Sequence, residues 1–272
     1  MKQFIKKHWS AIFLACSFTL GLSLLLYPTV ANWWNTREAR NLINSYETAV
    51  EEIKTDDSKL KLQEAIDYNN LLLKEPNRYF PSPELHEKYE SSLDIDGIGM
   101  MGMINIPSLD LNMPIYHGTS DATLASNIGH IEGTTLPAGQ ETNHTVLSGH
   151  RGLPSARLFT DIDKMVEGDV FLIRVLGETF TYEVDQIRIV LPEEMNDLEI
   201  EKGKDYVTLV TCTPYGINTH RLLVRGKRIA NLPDEYLNSG QDAVVVSRNI
   251  TAVVFSFIIL FFLLIWYFVR YR

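Results

Sequence analysis

The 272 residues of this chain predict a mainly β domain, entered through an N-terminal helical segment and held between two flanking transmembrane helices. Three features carry that expectation. From Met101 onward the chain breaks into short apolar runs punctuated by Gly and Pro, the pattern of a β-sandwich or barrel, between which periodicity does not choose. Ahead of them, residues 36–73 space their apolar side chains as a helix does. Both ends carry long stretches free of charge.

The first of these stretches runs from His8 to Asn35, and its core, Ala11 to Tyr27, is mostly Leu, Ile, Phe, Ala and Cys, long enough for a helix to cross a bilayer. Lys2, Lys6 and Lys7 precede it. A cleaved signal peptide processed near Thr29-Val30-Ala31 is the competing reading, but the run is longer than an ordinary signal-peptide core. The second stretch, from Ile250 to Val269, closes on Arg270 and Arg272. Basic residues at both outer ends place both termini in the cytoplasm and the middle of the chain outside it, in a cell membrane crossed twice. Arg37 and Arg40 run against this, but Glu38 and Glu47 share their side. Trp33, Trp34, Trp266 and Tyr267 stand where interfacial anchors belong.

Between the membrane segments, Leu42, Tyr46, Ala49 and Ile53 keep helical spacing, and Leu62, Ile66, Leu72 and Leu73 resume it after a polar break at Thr55-Asp56-Asp57-Ser58, so a helical hairpin or stalk is expected. Pro76, Pro81 and Pro83 then predict a loop without regular structure. Strands are expected at 103–106, 146–148, 170–175, 179–190, 206–211 and 221–229, with a hairpin turn at Leu176-Gly177-Glu178. The resulting domains are a tail and first membrane helix (1–35), a helical segment with the proline-rich loop (36–99), a β domain (100–232), a polar linker (233–249) and a second membrane helix with a basic tail (250–272).

The formal charge of −9, from 25 basic and 34 acidic residues, argues against a nucleic-acid binder, which needs clustered Lys and Arg. Of two cysteines, Cys16 lies in the first apolar segment, so Cys212 has no disulfide partner in the outer domain. A free thiol outside the cytoplasm suits a bacterium with a single membrane that makes few disulfides. A buried structural cysteine is the bland alternative. An isolated thiol, with pKa near 8.5, is mostly protonated at neutral pH, so a nucleophilic cysteine needs a base or cation nearby. Ser148-Gly149-His150-Arg151-Gly152 and Thr219-His220-Arg221 are the stretches that supply them. Arg221 lies nine positions beyond Cys212 across the turn Thr213-Pro214-Tyr215-Gly216, a spacing that lets adjacent antiparallel strands bring the two side chains together. His86, His117, His130 and His144 read as ordinary turn or strand residues, and no Cys or His pairing at metal-ligand spacing occurs, so neither metal nor cofactor is expected.

The run Thr208-Leu-Val-Thr-Cys212-Thr-Pro-Tyr-Gly-Ile-Asn-Thr-His-Arg221-Leu-Leu-Val-Arg225-Gly226 closely resembles the active-site segment of sortases, and its turn is similar to the class C, pilin-polymerising type of Gram-positive bacteria. Ile115-Tyr116-His117-Gly118-Thr119, Gly129-His130-Ile131-Glu132-Gly133-Thr134 and Ser148-Gly149-His150-Arg151-Gly152-Leu153-Pro154-Ser155-Ala156 match as well, and the likeness covers about residues 100 to 230. The resemblance implies a closed eight-stranded β-barrel, with Cys212 as nucleophile, His150 as general acid and base, and Arg221 as the cation at the developing oxyanion. It further implies a transpeptidase that cuts a Leu-Pro-x-Thr-Gly-like sorting signal between Thr and Gly through a Cys thioester. Its partners would be pilin subunits bearing that signal. The acceptor would be a pilin lysine amine, or alternatively the amine of a peptidoglycan precursor, which anchors proteins to the cell wall. One departure stands out. Many pilin sortases carry an Asp-Pro-aromatic lid before the barrel, where this chain reads Glu75-Pro76-Asn77 with Tyr79 and Phe80 displaced, so a mobile loop and an accessible thiol are expected. Two non-enzyme readings compete: a silent assembly scaffold, and a sortase substrate, which fails because Leu232-Pro233-Asp234-Glu235-Tyr236 lacks Thr-Gly.

Overall fold

The computed structural model describes residues 2–232 except 96 and 98. Helix α1 (Lys2–Glu52) takes in the first apolar segment and continues without a break through Pro28. In its C-terminal half Ala39, Ile43 and Tyr46 recur at helical spacing and are buried against the β domain. The Tyr46 hydroxyl donates to the Met101 carbonyl at 3.2 Å and accepts from the Leu176 amide at 3.0 Å, so this turn of α1 is bolted to two strands' ends. The helix breaks at Ile53-Lys54, not at the polar quartet. Thr55 to Ser58 instead opens helix α2 (Thr55–Leu72), where Asp56 and Asp57 complement the positive end of the helix dipole. Ala65, Tyr68, Asn69 and Leu72 form its buried stripe, and the Asn69 side chain bonds both the amide and the carbonyl of Leu136.

The proline-rich stretch is less irregular than its composition predicts. Ser82 caps a third helix, α3 (Pro83–Ser91), by accepting from the Leu85 amide at 3.3 Å. Pro83 sits in the first turn, where the missing N–H has no partner to lose.

Eight strands follow: β1 (Met100–Ile106), β2 (Leu111–His117), β3 (Ile128–His130), β4 (Asn143–Ser148), β5 (Val170–Val175), β6 (Glu178–Val190), β7 (Asp205–Thr213) and β8 (His220–Ile229), with a one-turn helix, α4 (Asp121–Leu124), between β2 and β3. They close in the order β1-β2-β3-β4-β7-β8-β6-β5, which settles the choice between sandwich and barrel and leaves no free sheet edge. All neighbours are antiparallel except β2 with β3 and β4 with β7. Ile104, Leu147, Phe171, Ile173, Val207, Leu209 and Val224 fill the interior. The β5–β6 hairpin turns on Leu176 and Gly177, both at positive φ, the geometry a two-residue turn needs to follow the twist of its strands. Gly102 closes the β1–β5 seam: a Cβ there would lie 2.4 Å from the Arg174 carbonyl oxygen.

Among the described residues no helix is long and apolar enough to cross a membrane. Leu20, Leu24, Leu25, Tyr27, Val30, Trp33 and Trp34 of α1 are exposed. The second apolar segment and the linker before it lie outside the described residues.

Candidate active site

The site is built where β4 and β7 end and β8 begins. In the antiparallel β7–β8 pair, Cys212 stands directly opposite Arg221. Side chains alternate between the faces of a strand. Val207 and Leu209 of β7, with Leu222 and Val224 of β8, point into the barrel. Val210 and Leu223 point outward, where they pack with Val146 and Leu198 in a separate cluster. Cys212 and Arg221 share the parity of that outer face, and both are half-buried.

His150 follows the end of β4, which runs parallel to β7 with Ser148 level with Val210, and by alternation from Val146 and Ser148 it takes the parity of that same face. Past the end of the ladder the two chains stay stitched together. The Gly149 amide donates to the Val210 carbonyl at 3.1 Å, the Thr211 hydroxyl donates to the Gly149 carbonyl at 2.7 Å, and Arg151 Nη1 donates to Thr213 Oγ1 at 3.1 Å. The neighbours of His150 are therefore bonded to the neighbours of Cys212. His150 is half-buried, and its carbonyl accepts from the Phe159 amide at 3.2 Å, which closes the loop behind it.

Arg221 Nη1 donates to the carbonyls of Asn218 at 3.3 Å and His220 at 3.1 Å. Among the described residues no carboxylate lies within ion-pair distance of it, which leaves a held guanidinium whose charge is uncompensated beside the thiol. His220 pairs with Thr213 in the ladder, which gives it the parity of the opposite face and removes it as partner to Cys212.

The other histidines are structural. Burial holds the His130 imidazole down to about 3, and its ring nitrogens meet the Tyr89 hydroxyl at 3.0 Å and the Thr135 carbonyl at 3.0 Å. His144 is lowered by burial as well, and lies 2.7 Å from both the Glu199 carbonyl and Thr208 Oγ1. His117 lies between the carbonyls of Gly99 and Ser92, and His86 pairs with Glu132 on the surface.

The loop at 75–83 is not free, contrary to expectation. Arg78 reaches the Leu198 carbonyl at 3.3 Å and Glu199 at 3.1 Å, and its guanidinium lies over the Tyr79 ring. Tyr79 packs on Gly133, where a Cβ would lie 2.7 Å from the Arg78 carbonyl oxygen. The loop thus straps the β3–β4 connection to the β6–β7 connection, while Phe80 is 77% exposed and Glu75 forms no ion pair among the described residues.

Two features had no signal in the sequence. Helix α1 touches the His150 loop: Asn35 Nδ2 donates to the Ser155 carbonyl at 2.8 Å, and the Arg157 amide donates to Asn32 Oδ1 at 2.9 Å. A cleft of about 620 Å³, lined by Arg151, Ile187, Ile189, Thr213, Tyr215 and Leu222, backs onto the site, since Thr213 and Leu222 alternate to the face away from Cys212.

A family model for the sortase domain matches residues 104–229. Sortase D of Bacillus subtilis is 28% identical over 131 residues, 47% of this chain and 63% of that protein. Sortase A of Bacillus anthracis is 29% identical over 145 residues, 53% of this chain and 66% of that protein. The match thus spans a little under two thirds of the length of these curated relatives. Among solved structures, sortase C1 of Streptococcus agalactiae is 47% identical with a TM-score of 0.68, covering 71% of this chain and all of that one. Sortase C of Clostridium perfringens, solved with the C-terminal cell wall sorting motif, is 40% identical with a TM-score of 0.63, covering 71% of this chain and 100% of that one.

Proposed function

This chain belongs to the sortase family, and on that premise we propose that it is a membrane-anchored cysteine transpeptidase that assembles pilin subunits. The observation that carries the reading is the outer-face trio: Cys212 opposite Arg221 in register, with His150 stitched alongside. Cys212 Sγ attacks the Thr carbonyl of a Leu-Pro-x-Thr-Gly-like signal. The oxyanion that forms faces the uncompensated guanidinium of Arg221, whose stabilisation is largest in a partly dry site. His150 gives its proton to the departing Gly amine, the C–N bond breaks, and a thioester remains on Cys212. A lysine amine of the next pilin then attacks the thioester and yields its proton to His150. The thiolate leaves, and an amide joins the two subunits.

The choice of pilin lysine over a peptidoglycan-precursor amine is supported by the 40–47% identity to sortase C structures, above the 28–29% to the sortase A and D relatives. Membrane anchoring at two helices, with both termini cytoplasmic, is supported by the uncharged run from His8 to Asn35, the apolar run from Ile250 and the exposed Trp33 and Trp34. The test is to incubate the full chain in detergent micelles with a sorting-signal peptide and each acceptor, and to read the Cys212 adduct and the joined residues by mass spectrometry. A thioester on Cys212 and a Thr–Lys amide bond are expected. No adduct would sink the enzymatic reading, and exclusive transfer to the peptidoglycan amine would replace pilin assembly with wall anchoring.

A further inference from the structure

We propose that Arg151 is a positioning residue for the transfer reaction: it fixes His150 beside Cys212 by tying the turn after β4 to Thr213. The inference rests on the transpeptidase reading above.

The Arg151 side chain is only 10% exposed, although a guanidinium is costly to bury where an apolar side chain would fill the same space. Its contacts all run to one end. Nη1 donates to Thr213 Oγ1 at 3.1 Å, Nη2 pairs with Asp163, and the Tyr215 ring centroid lies 5.9 Å from its central carbon. Tyr215 also covers the next residue: Gly152 has φ of 79°, and a Cβ there would meet the ring at 2.9 Å. On the other flank, Thr211 bonds Gly149, whose own Cβ would strike Ile128 and Phe159 at 2.8 Å.

The pattern is symmetric about the reacting pair. Thr211 and Thr213 flank Cys212; Gly149 and Arg151 flank His150; each threonine bonds one of the two. On the Gly149 side the Thr211 hydroxyl bond is backed by a backbone bond, Gly149 amide to Val210 carbonyl, that continues the ladder. On the Arg151 side the hold depends on side chains alone, so this is the half a substitution can undo. Arg151 neither faces the outer surface nor meets the thiol, and acts only through the residue it holds. A fork with two ends can bind Thr213 and Asp163 together, which a lysine ammonium on a flexible stem does less well.

The experiment compares Arg151→Met, Arg151→Lys, Thr213→Val and the double variant Arg151→Met/Thr213→Val in the full chain, measuring kcat and KM for a sorting-signal peptide. Because small misplacement of a reacting group is costly, kcat of Arg151→Met should fall about 30-fold with KM within about 2-fold of the parent. Thr213→Val removes only the shared hydroxyl and should cost about 5-fold, Arg151→Lys should fall between, and the double variant should be no slower than Arg151→Met, because both remove one contact. A kcat for Arg151→Met within about 3-fold of the parent, or losses that multiply in the double variant, would overturn the clamp while leaving the transpeptidase reading intact. If Arg151→Met fails to fold, an unchanged kcat in Thr213→Val overturns it alone. Absence of a Cys212 adduct in the parent chain would instead refute the transpeptidase reading, and this inference with it.

Discussion

Cys212 and Arg221 meet because nine positions span a turn and return the chain to the same rung of a ladder. That much was legible in the sequence, where Thr213-Pro214-Tyr215-Gly216 marks the turn and the strands on either side are apolar and β-branched. Spacing alone left His150 and His220 both open, and His150 was named only through the resemblance to sortases; strand parity places His220 on the face opposite Cys212. Parity is known only once register is known. The threonines beside Cys212 had likewise no distinguishing mark, because Thr is an ordinary strand residue and its hydroxyl's partner, 62 positions away, belongs to another strand. From this geometry Cys212→Ala is expected to give no acyl-enzyme detectable by mass spectrometry, since no second thiol stands on this face. Arg221→Lys should lose on the order of 100-fold in kcat, because a point ammonium does not reproduce the guanidinium's directed donors at the oxyanion. Turnover within a few-fold of the parent in peptide cleavage assays would take Arg221 out of the proposed mechanism.

Helices and loops diverged from expectation where capping chemistry overrode composition. Thr55 to Ser58 looked like a break and proved to be a first turn, since acidic residues favour the positive end of a helix; Pro83 looked like a breaker and opens α3 behind its Ser82 cap. The loop between them was expected to move because Glu75-Pro76-Asn77 departs from the Asp-Pro-aromatic lid, yet Arg78 fastens it to Leu198 and Glu199, about 120 residues on. Arg78→Ala should therefore raise the rate of proteolytic nicking within 75–83 by on the order of 10-fold, while alkylation of Cys212 changes little, since no bond among the described residues links this loop to the thiol. A parallel rise in alkylation would show that the strap also covers the site. The buried histidines set the pH response of the barrel. His130 on β3 and His144 on β4 are held neutral in the fold by burial, so below the ordinary imidazole value of 6.5 the unfolded chain takes up protons that the fold refuses. For His130, stability is then complete above pH 6.5 and declines by roughly 1 kcal/mol per pH unit as pH falls toward about 3, and His144 acts in the same direction. Asp205, whose carboxyl is raised by burial, acts in the opposite sense above its ordinary value of 3.8, so the first pH unit below 6.5 is the window farthest from it. Urea midpoints that stay flat across that window would contradict the assignment of both rings as neutral.

Local pattern carried the architecture only part of the way, and the closed eight-stranded barrel was expected from the resemblance to sortases. Six strand runs, the β5–β6 turn and the helical segment could be read from periodicity, whereas closure could not, because it depends on the parallel β2–β3 and β4–β7 pairs, whose partners are separated by long connections. The short β3, three residues long, carries too little pattern to announce itself. For the full chain, the proposed topology predicts that reporter fusions at Met1 and Arg272 both register cytoplasm and that a tag inserted at the exposed Glu178 does not; an external C-terminus would overturn it. The β4–β7 pairing has a further consequence, for biogenesis. The histidine-bearing strand is made some sixty residues before the cysteine-bearing one, and a contact of such separation forms only after most of the intervening chain has collapsed. On the proposed reading, the chain therefore carries its sulfur unarmed until β7 docks beside β4. The proposed acylating power would arrive with the closure of the barrel, and a half-made copy would have no means of stranding a substrate on a dead enzyme.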